Sequence, residues 1–175
     1  LPATQSWMIA VTAVNDAPEI TSVAVTTATE DEAYSYTVTA NDVDIDTVLT
    51  FSLTTAPEGM VINPATGQIT WTPGNNVTSE NVVVEVSDSE ATDTQSFTIT
   101  VTPVNDAPTI TSTANTAATE DEAYSYAVTA EDIDGDNLTF SLTTKPLGMT
   151  INANTGAISW TPANNVTSEI VTVQV

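Results

Sequence analysis

Three kinds of acidic cluster recur along the chain, and each offers only oxygen donors. Glu30-Asp31-Glu32 returns as Glu120-Asp121-Glu122, and Asp42-Val43-Asp44-Ile45-Asp46 is matched by Asp132-Ile133-Asp134-Gly135-Asp136. Asn-Asp-Ala-Pro occurs at Asn15-Asp16 and again at Asn105-Asp106. An Asp-x-Asp-x-Asp loop can turn three carboxylates toward one centre, and a hard cation such as Ca²⁺ takes six to eight oxygens, typically at about 2.3–2.6 Å. Gly135 lets one of the two loops bend sharply. The bland alternative is solvated surface, and Glu80, Glu90 and Asp93 taken singly read that way. Catalysis has little to work with. The chain has no His, Cys or Arg, so nucleophilic triads, thiol chemistry and guanidinium phosphate clamps are excluded. Paired carboxylates could hydrolyse glycosides. Their return at every junction argues for a structural role instead.

The charge balance narrows the partners. Among 175 residues there are 23 acidic ones and a single basic one, Lys145, for a formal charge of −22. A nucleic-acid partner is excluded, because almost no cations are available to displace counterions from phosphates. An anionic membrane surface is disfavoured for the same reason, and no apolar run of about 18 residues could insert directly into a bilayer. A hydrophobic content of 41% nonetheless supports a folded core. Self-repulsion of this size calls for screening by salt or by divalent ions. The segment LPATQSWM has no charged n-region, so a secretion signal would have to lie outside these residues.

The elements that must position the clusters are legible in an internal repeat. VNDAPEIT at 14–21 recurs as VNDAPTIT at 104–111, and ATEDEAYSY at 28–36 recurs at 118–126, both 90 residues on. TFSLTT and WTP then recur at an offset of 89. The slip falls in 41–49 against 131–138, which makes that segment a loop. Within a repeat the apolar period is two: Tyr34, Tyr36, Val38 and Ala40 alternate with Ser35, Thr37 and Thr39, and Phe97, Ile99 and Val101 alternate with threonines and a serine. This is the pattern of half-buried antiparallel strands. Seven strands are expected in the complete repeat, labelled A to G, over 19–25, 32–40, 48–55, 59–63, 67–72, 81–87 and 95–104. The fold class is all-β: tandem immunoglobulin/cadherin-like β-sandwich domains in a linear array.

Alignment of the repeats sets the domain frame. TQSWMIAVTAVNDAP (4–18) aligns with TQSFTITVTPVNDAP (94–108), so residues 1–14 read as the G strand of a preceding domain. Residues 15–104 form one complete sandwich, and 105–175 form a second that lacks its last strand. A lone G strand cannot bury its apolar face, and a sandwich without G has an open groove. Two readings follow: a window cut from a longer array, or a strand donated from 4–14 to the groove of the next molecule. In an immunoglobulin-like topology the strand G exit, the A–B turn and the E–F loop share one end of a domain. The B–C and F–G loops share the other. Glu30, Glu32, Asn105, Asp106, Asp132, Asp134 and Asp136 are therefore expected to hold calcium at the complete junction. Asn15, Asp16, Asp42, Asp44, Asp46 and Asp88 form a partial set at the first.

The Val-Asn-Asp-Ala-Pro linker, the Glu-Asp-Glu-Ala-Tyr-Ser-Tyr strand, the Asp-x-Asp-x-Asp loop and the Gly-Met-x-Ile-Asn…Thr-Gly-x-Ile-x-Trp-Thr-Pro stretch resemble bacterial cadherin-like repeats. The closer resemblance is to the dystroglycan-type cadherin and immunoglobulin-like group of large surface adhesins. It implies extracellular or cell-surface display, calcium between domains, and head-to-tail contact with neighbouring repeats or the next subunit. For some members it implies polysaccharide or another cell surface as partner. Ile45 stands where Gly135 stands, with one extra residue in that loop, a departure at the first junction. Together these point to a calcium-stiffened structural or adhesive stalk. The alternatives are a carbohydrate-binding module and a filament subunit. Trp71, Trp160 and the four tyrosines share the inward face of their strands and read as core rather than as a sugar platform. Trp7 reads as core of the preceding domain.

Overall fold

The structure, a computed structural model, describes residues 1–45 and 47–175. Asp46, expected among the metal ligands, lies outside the described residues. The chain divides into two compact units, Leu1–Val104 and Asn105–Val175. No helix forms among the described residues, as the twofold apolar period requires.

In unit 1 the strands are β1 (Glu19–Ile20), β2 (Thr27–Thr29), β3 (Tyr34–Thr37), β4 (Ala40–Asn41), β5 (Thr50–Thr55), β6 (Val61–Ile62), β7 (Gln68–Trp71), β8 (Ser79–Ser87) and β9 (Thr92–Thr102). One face of the sandwich carries the β1–β4 pair and the β3–β7–β6 sheet, and the other is the four-stranded sheet β2–β9–β8–β5. The alternation read from sequence is what divides each strand between core and solvent. Tyr34, Tyr36, Ile69 and Trp71 point inward from one sheet, and Val82, Val84, Val86, Ile99 and Val101 from the other. Tyr34 meets Trp71 edge-on at 6.4 Å, and Tyr36 meets Phe97 edge-on at 5.8 Å. β9 contributes Ile99 and Val101 to the buried set. Burial of each such side chain stabilises by about 1.5–3 kcal/mol.

Two expected strands are interrupted. The first strand, expected over 19–25, is instead split between the two sheets. β1 pairs antiparallel with β4, then the chain crosses over and β2 runs parallel to β9. The crossing is held by hydrogen bonds that periodicity does not encode. Ser22 Oγ accepts from Thr39 N at 2.9 Å and lies 2.7 Å from the Tyr36 hydroxyl. Tyr34 donates its hydroxyl to Val25 O at 2.7 Å. The strand expected over 32–40 breaks at Val38–Thr39, where Thr39 O accepts from both Thr21 N and Ser22 N. The Asn63–Gly67 segment is a turn, as its composition predicts. Asn63 Oδ1 accepts from Ala65 N and Thr66 N, and Gly67 has φ +67°. A Cβ at Gly67 would collide with the Val38 carbonyl oxygen.

Unit 2 contains β10 (Thr109–Ile110), β11 (Tyr124–Ala127), β12 (Ala130–Glu131), β13 (Ser141–Thr144), β14 (Thr150–Ile151), β15 (Ala157–Trp160) and β16 (Thr172–Gln174). The register repeats that of unit 1: Tyr124 faces Trp160 across the β11–β15 ladder as Tyr34 faces Trp71. Its buried core is smaller, reduced to Val128, Phe140, Met149 and Ile158. Trp160, Tyr124 and Tyr126 are only half-buried, whereas Trp71, Tyr34 and Tyr36 are buried. The difference traces to β9, which has no counterpart within 105–175. Residues 1–18 carry no strand, and Trp7, Met8, Ile9 and Val11 are exposed.

Replacing Gly67 by Ala should lower the unfolding free energy of the chain by at least about 2 kcal/mol, because a left-handed backbone conformation and a collision with backbone are imposed together. Urea unfolding followed by tryptophan fluorescence measures this. On the alkaline side, burial and the neighbouring Tyr36 push the Tyr34 hydroxyl up to about 12. Its contribution to stability is complete below the ordinary tyrosine value of 10.0 and is lost as pH rises toward 12. Unit 1 should therefore unfold in that window, and Tyr34→Phe should resist it better than the parent.

Candidate metal centre

The acidic residues gather at the ends of the sandwiches, where the loops are. At one end of unit 1 the loop after β4 brings Asp42 and Asp44 beside the Asn15–Asp16 segment, and the β8–β9 turn brings Asp88. Asp44 Oδ2 accepts from Asp16 N at 2.9 Å, and Asp42 Oδ1 accepts from Asp44 N at 2.8 Å. Asn15 Nδ2 donates to Asp88 Oδ2 at 2.9 Å and to Asp16 O at 2.9 Å. Asn15, Asp16, Asp42, Asp44 and Asp88 thus form one connected network. Asp88 is buried, and its other oxygen accepts from Ala91 N at 2.6 Å and Glu90 N at 2.7 Å. These bonds, with that from Asn15, hold its carboxyl below the ordinary value.

Unit 2 repeats the arrangement around its own loop. Asp134 Oδ2 accepts from Asp106 N at 2.7 Å, and Asp132 Oδ1 accepts from Asp134 N at 3.0 Å and Asp136 N at 3.2 Å. Asn105 Nδ2 donates to Asp106 O at 2.9 Å. Gly135, at φ +79°, supplies the bend expected of it. The first loop reaches the same Asp-to-linker contact with Ile45 in place of that glycine, so the extra residue is absorbed without losing the bond.

Glu30 and Glu32 lie at the opposite end of unit 1. β9, of eleven residues, separates them from Asp88 by roughly 35 Å at the rise of an extended strand. Glu30 is buried: Oε1 accepts from Asn76 N at 2.8 Å and Oε2 from Val104 N at 2.9 Å, so one carboxylate ties the turn before β3, the β7–β8 loop and the end of β9. Glu32 is exposed. Asp93, read from sequence as plain surface, accepts from Ile20 N at 2.9 Å and fixes the end of β1. Gln95 carries no signal in the sequence either, yet it accepts from the Tyr36 hydroxyl at 2.8 Å. Both lie on β9, and only the place of that strand near the first strand and across the core from β3 selects them.

Whether calcium suits these residues turns on chemistry and on one atom. The donors are all hard oxygens, which favour Ca²⁺ or Mg²⁺ over thiolate- or imidazole-seeking metals. Asp42 Oδ2 is buried and has no hydrogen-bond partner among the described residues. Such an orphan is costly unless a cation or donor meets it. Among the described residues no three carboxylates converge into a ready-made metal group. They turn to backbone N–H groups instead, which spread the negative charge.

Two sheets packed face to face, with a first strand shared between them and the strand before β9 paired to it along nine residues, define an immunoglobulin-like β-sandwich. The chain belongs to the family described as "Putative Ig domain" (He_PIG), which matches residues 17–102 and again 107–175. Among solved structures it is similar to human protocadherin-24 EC1-2, at 19% identity and a TM-score of 0.52, over 90% of this chain and 92% of that one. It is similar to human CDH23 EC21-23 at 19% identity and a TM-score of 0.52, over 87% of this chain and 56% of that one. An endo-fucoidan hydrolase from glycoside hydrolase family 107 matches at 24% identity and a TM-score of 0.46; the chain covers 25% of that enzyme's length. No curated protein matches the sequence. The fold is thus that of cadherin extracellular domains, as the sequence resemblance implied.

Because the Asp88 carboxyl is held below its ordinary value of 3.8, it stabilises the fold above that value, and this contribution disappears as pH falls through the lowered one. In chelator-containing buffer, acid unfolding below about pH 4 should be shallower in Asp88→Asn than in the parent.

Proposed function

We propose that this chain is a stalk segment of an extracellular or cell-surface protein, structural or adhesive, whose domain ends are stiffened by calcium. The observation that carries the reading is the buried, unpartnered Asp42 Oδ2 beside Asp44, within a loop that also grips the linker through Asp16. Asn15, Asp16, Asp42, Asp44, Asp46 and Asp88 would serve one end, and Asn105, Asp106, Asp132, Asp134 and Asp136 the equivalent end of unit 2. Glu30 and Glu32 belong to the proposal through the linker: β9 ends beside Glu30, and Asn105–Asp106 follow it directly. A cation there would replace mutual repulsion of carboxylates by shared coordination, and a net charge of −22 supplies the demand. The family membership and the cadherin-like fold support extracellular display and contact with neighbouring repeats.

A ligand that binds only the folded state adds stability of about 2.7 kcal/mol per site at a hundred times its Kd. Millimolar CaCl₂ should therefore raise the Tm of the 175-residue chain by several degrees, and excess EGTA should lower it again. The increment should shrink in Asp44→Asn and in Asp134→Asn, measured one at a time by calorimetry. An unchanged Tm with and without calcium, together with no heat on isothermal titration, would sink the reading.

A further inference from the structure

The loops after β4 and β12 hold the same bonds but differ in one residue that decides their chemistry. Asp44 Oδ2 accepts from Asp16 N at 2.9 Å and Asp134 Oδ2 from Asp106 N at 2.7 Å, so each carboxylate holds a linker residue to its loop. Each loop also turns on the aspartate before it, with Asp42 Oδ1 accepting from Asp44 N and Asp132 Oδ1 from Asp134 N. The residue that follows is different. Asp44 precedes Ile45, whereas Asp134 precedes Gly135, and no other Asp or Asn in the chain is followed by glycine.

The side-chain carboxyl carbon of an aspartate can be attacked by the backbone nitrogen of the next residue, because joining the two closes a five-membered ring. A β-branched side chain such as that of Ile45 crowds the approach. Glycine has no Cβ to crowd it, and its backbone turns freely. Gly135 is exposed, with φ at +79°, and nothing lies within 4 Å of the place its Cβ would occupy. Gly135 N donates to Asp132 O at 3.3 Å, beyond the usual range for a bond of this type. Neither packing nor a short hydrogen bond holds that nitrogen away from the Asp134 carboxyl group or screens the site from water.

We propose that Asp134 is a site of spontaneous isomerisation to isoaspartate, and that the change releases the loop of unit 2 from Asp106. Gly135 N bonds to Cγ of Asp134 and gives up its proton. One carboxyl oxygen leaves as water, taking that proton and one from solvent. Water then opens the cyclic imide. Attack at Cγ restores aspartate, and attack at the main-chain carbonyl leaves the chain running through Cγ, with no net change in mass. The free carboxylate is then attached directly to Cα and is one carbon shorter, while the backbone is one carbon longer. It no longer reaches Asp106 N. No cation takes part, and every arm of the test contains EDTA, so its outcome is separate from that of the stalk reading.

The test holds the 175-residue chain for weeks at neutral pH and physiological temperature. It is then digested with Asp-N, which cuts before aspartate but not before isoaspartate, and the peptides are sequenced by electron-transfer mass spectrometry. Isoaspartate should accumulate at 134, and at least about tenfold more slowly at 44, where Ile45 crowds the nitrogen. Ile45 is exposed, so Ile45→Gly should fold as the parent does and should speed the reaction at 44 by at least about tenfold. In the aged chain the Asp106 amide should exchange with deuterium faster than in the fresh one, and the Asp16 amide at an unchanged rate. An aged chain without isoaspartate at 134 overturns the proposal. So do equal yields at 44 and 134, an Ile45→Gly chain no more reactive at 44 than the parent, or an Asp106 amide as well protected after the reaction as before.

Discussion

The pairing of β9 with β8 is the contact on which the rest of unit 1 depends. It runs over nine residue pairs, from Ser79–Thr100 to Ser87–Thr92, and β9 also carries β2 on its other edge. The ladder pairs backbone groups along its whole length, and such pairing is the condition for burying the apolar side chains beside it. Through this one strand Ile99 and Val101 reach the core, Gln95 reaches Tyr36, Asp93 reaches Ile20 N, and Val104 N reaches Glu30. Unit 2 shows the same sequence pattern without that strand. Its tyrosines and Trp160 are half-buried, its counterpart of β2 is not a strand, and a groove stands open along β16.

Electrostatics imposes the second constraint. A chain with 23 acidic residues and one lysine cannot neutralise its carboxylates by ion pairing. It places them at sandwich ends and turns many of them onto backbone N–H groups, as with Asp42, Asp44, Asp88, Asp132 and Asp134. Glu30 follows the same rule inside the fold, where a buried carboxylate is tolerable only because two backbone donors face it. The arrangement leaves Asp42 Oδ2 without a hydrogen-bond partner among the described residues. The same loops that grip the linker are those that offer oxygens.

The two-residue apolar period is enough to assign most of the core. Tyr34, Tyr36, Trp71 and the Val82-Val84-Val86 row are buried as their alternation requires, and the turn at Asn63–Gly67 follows from its composition. The clusters are visible because they repeat, and the Asp16–Asp44 and Asp106–Asp134 bonds join residues already paired by motif. The first strand is not legible in the same way. Alternation says which side chains face inward, but it does not say that the chain changes sheets between Ile20 and Thr27, a move held by Ser22 and Tyr34 hydroxyls. Trp160 and Trp71 have the same sequence context and different burial, because burial depends on what packs against a strand and not on the strand's own residues.

Sequence alone determined the fold class, the tandem repeat, the chemistry available and the places where it concentrates. Those follow from local rules: period, turn residues, hard oxygen donors and the count of charges. Tertiary structure alone decided which carboxylate meets which backbone donor, that Glu30 is a buried clip and Asp93 a strand anchor, and that Asp42 keeps one oxygen unmet among the described residues. Such pairings join residues up to 74 positions apart. They depend on register and sheet order, which no local pattern encodes.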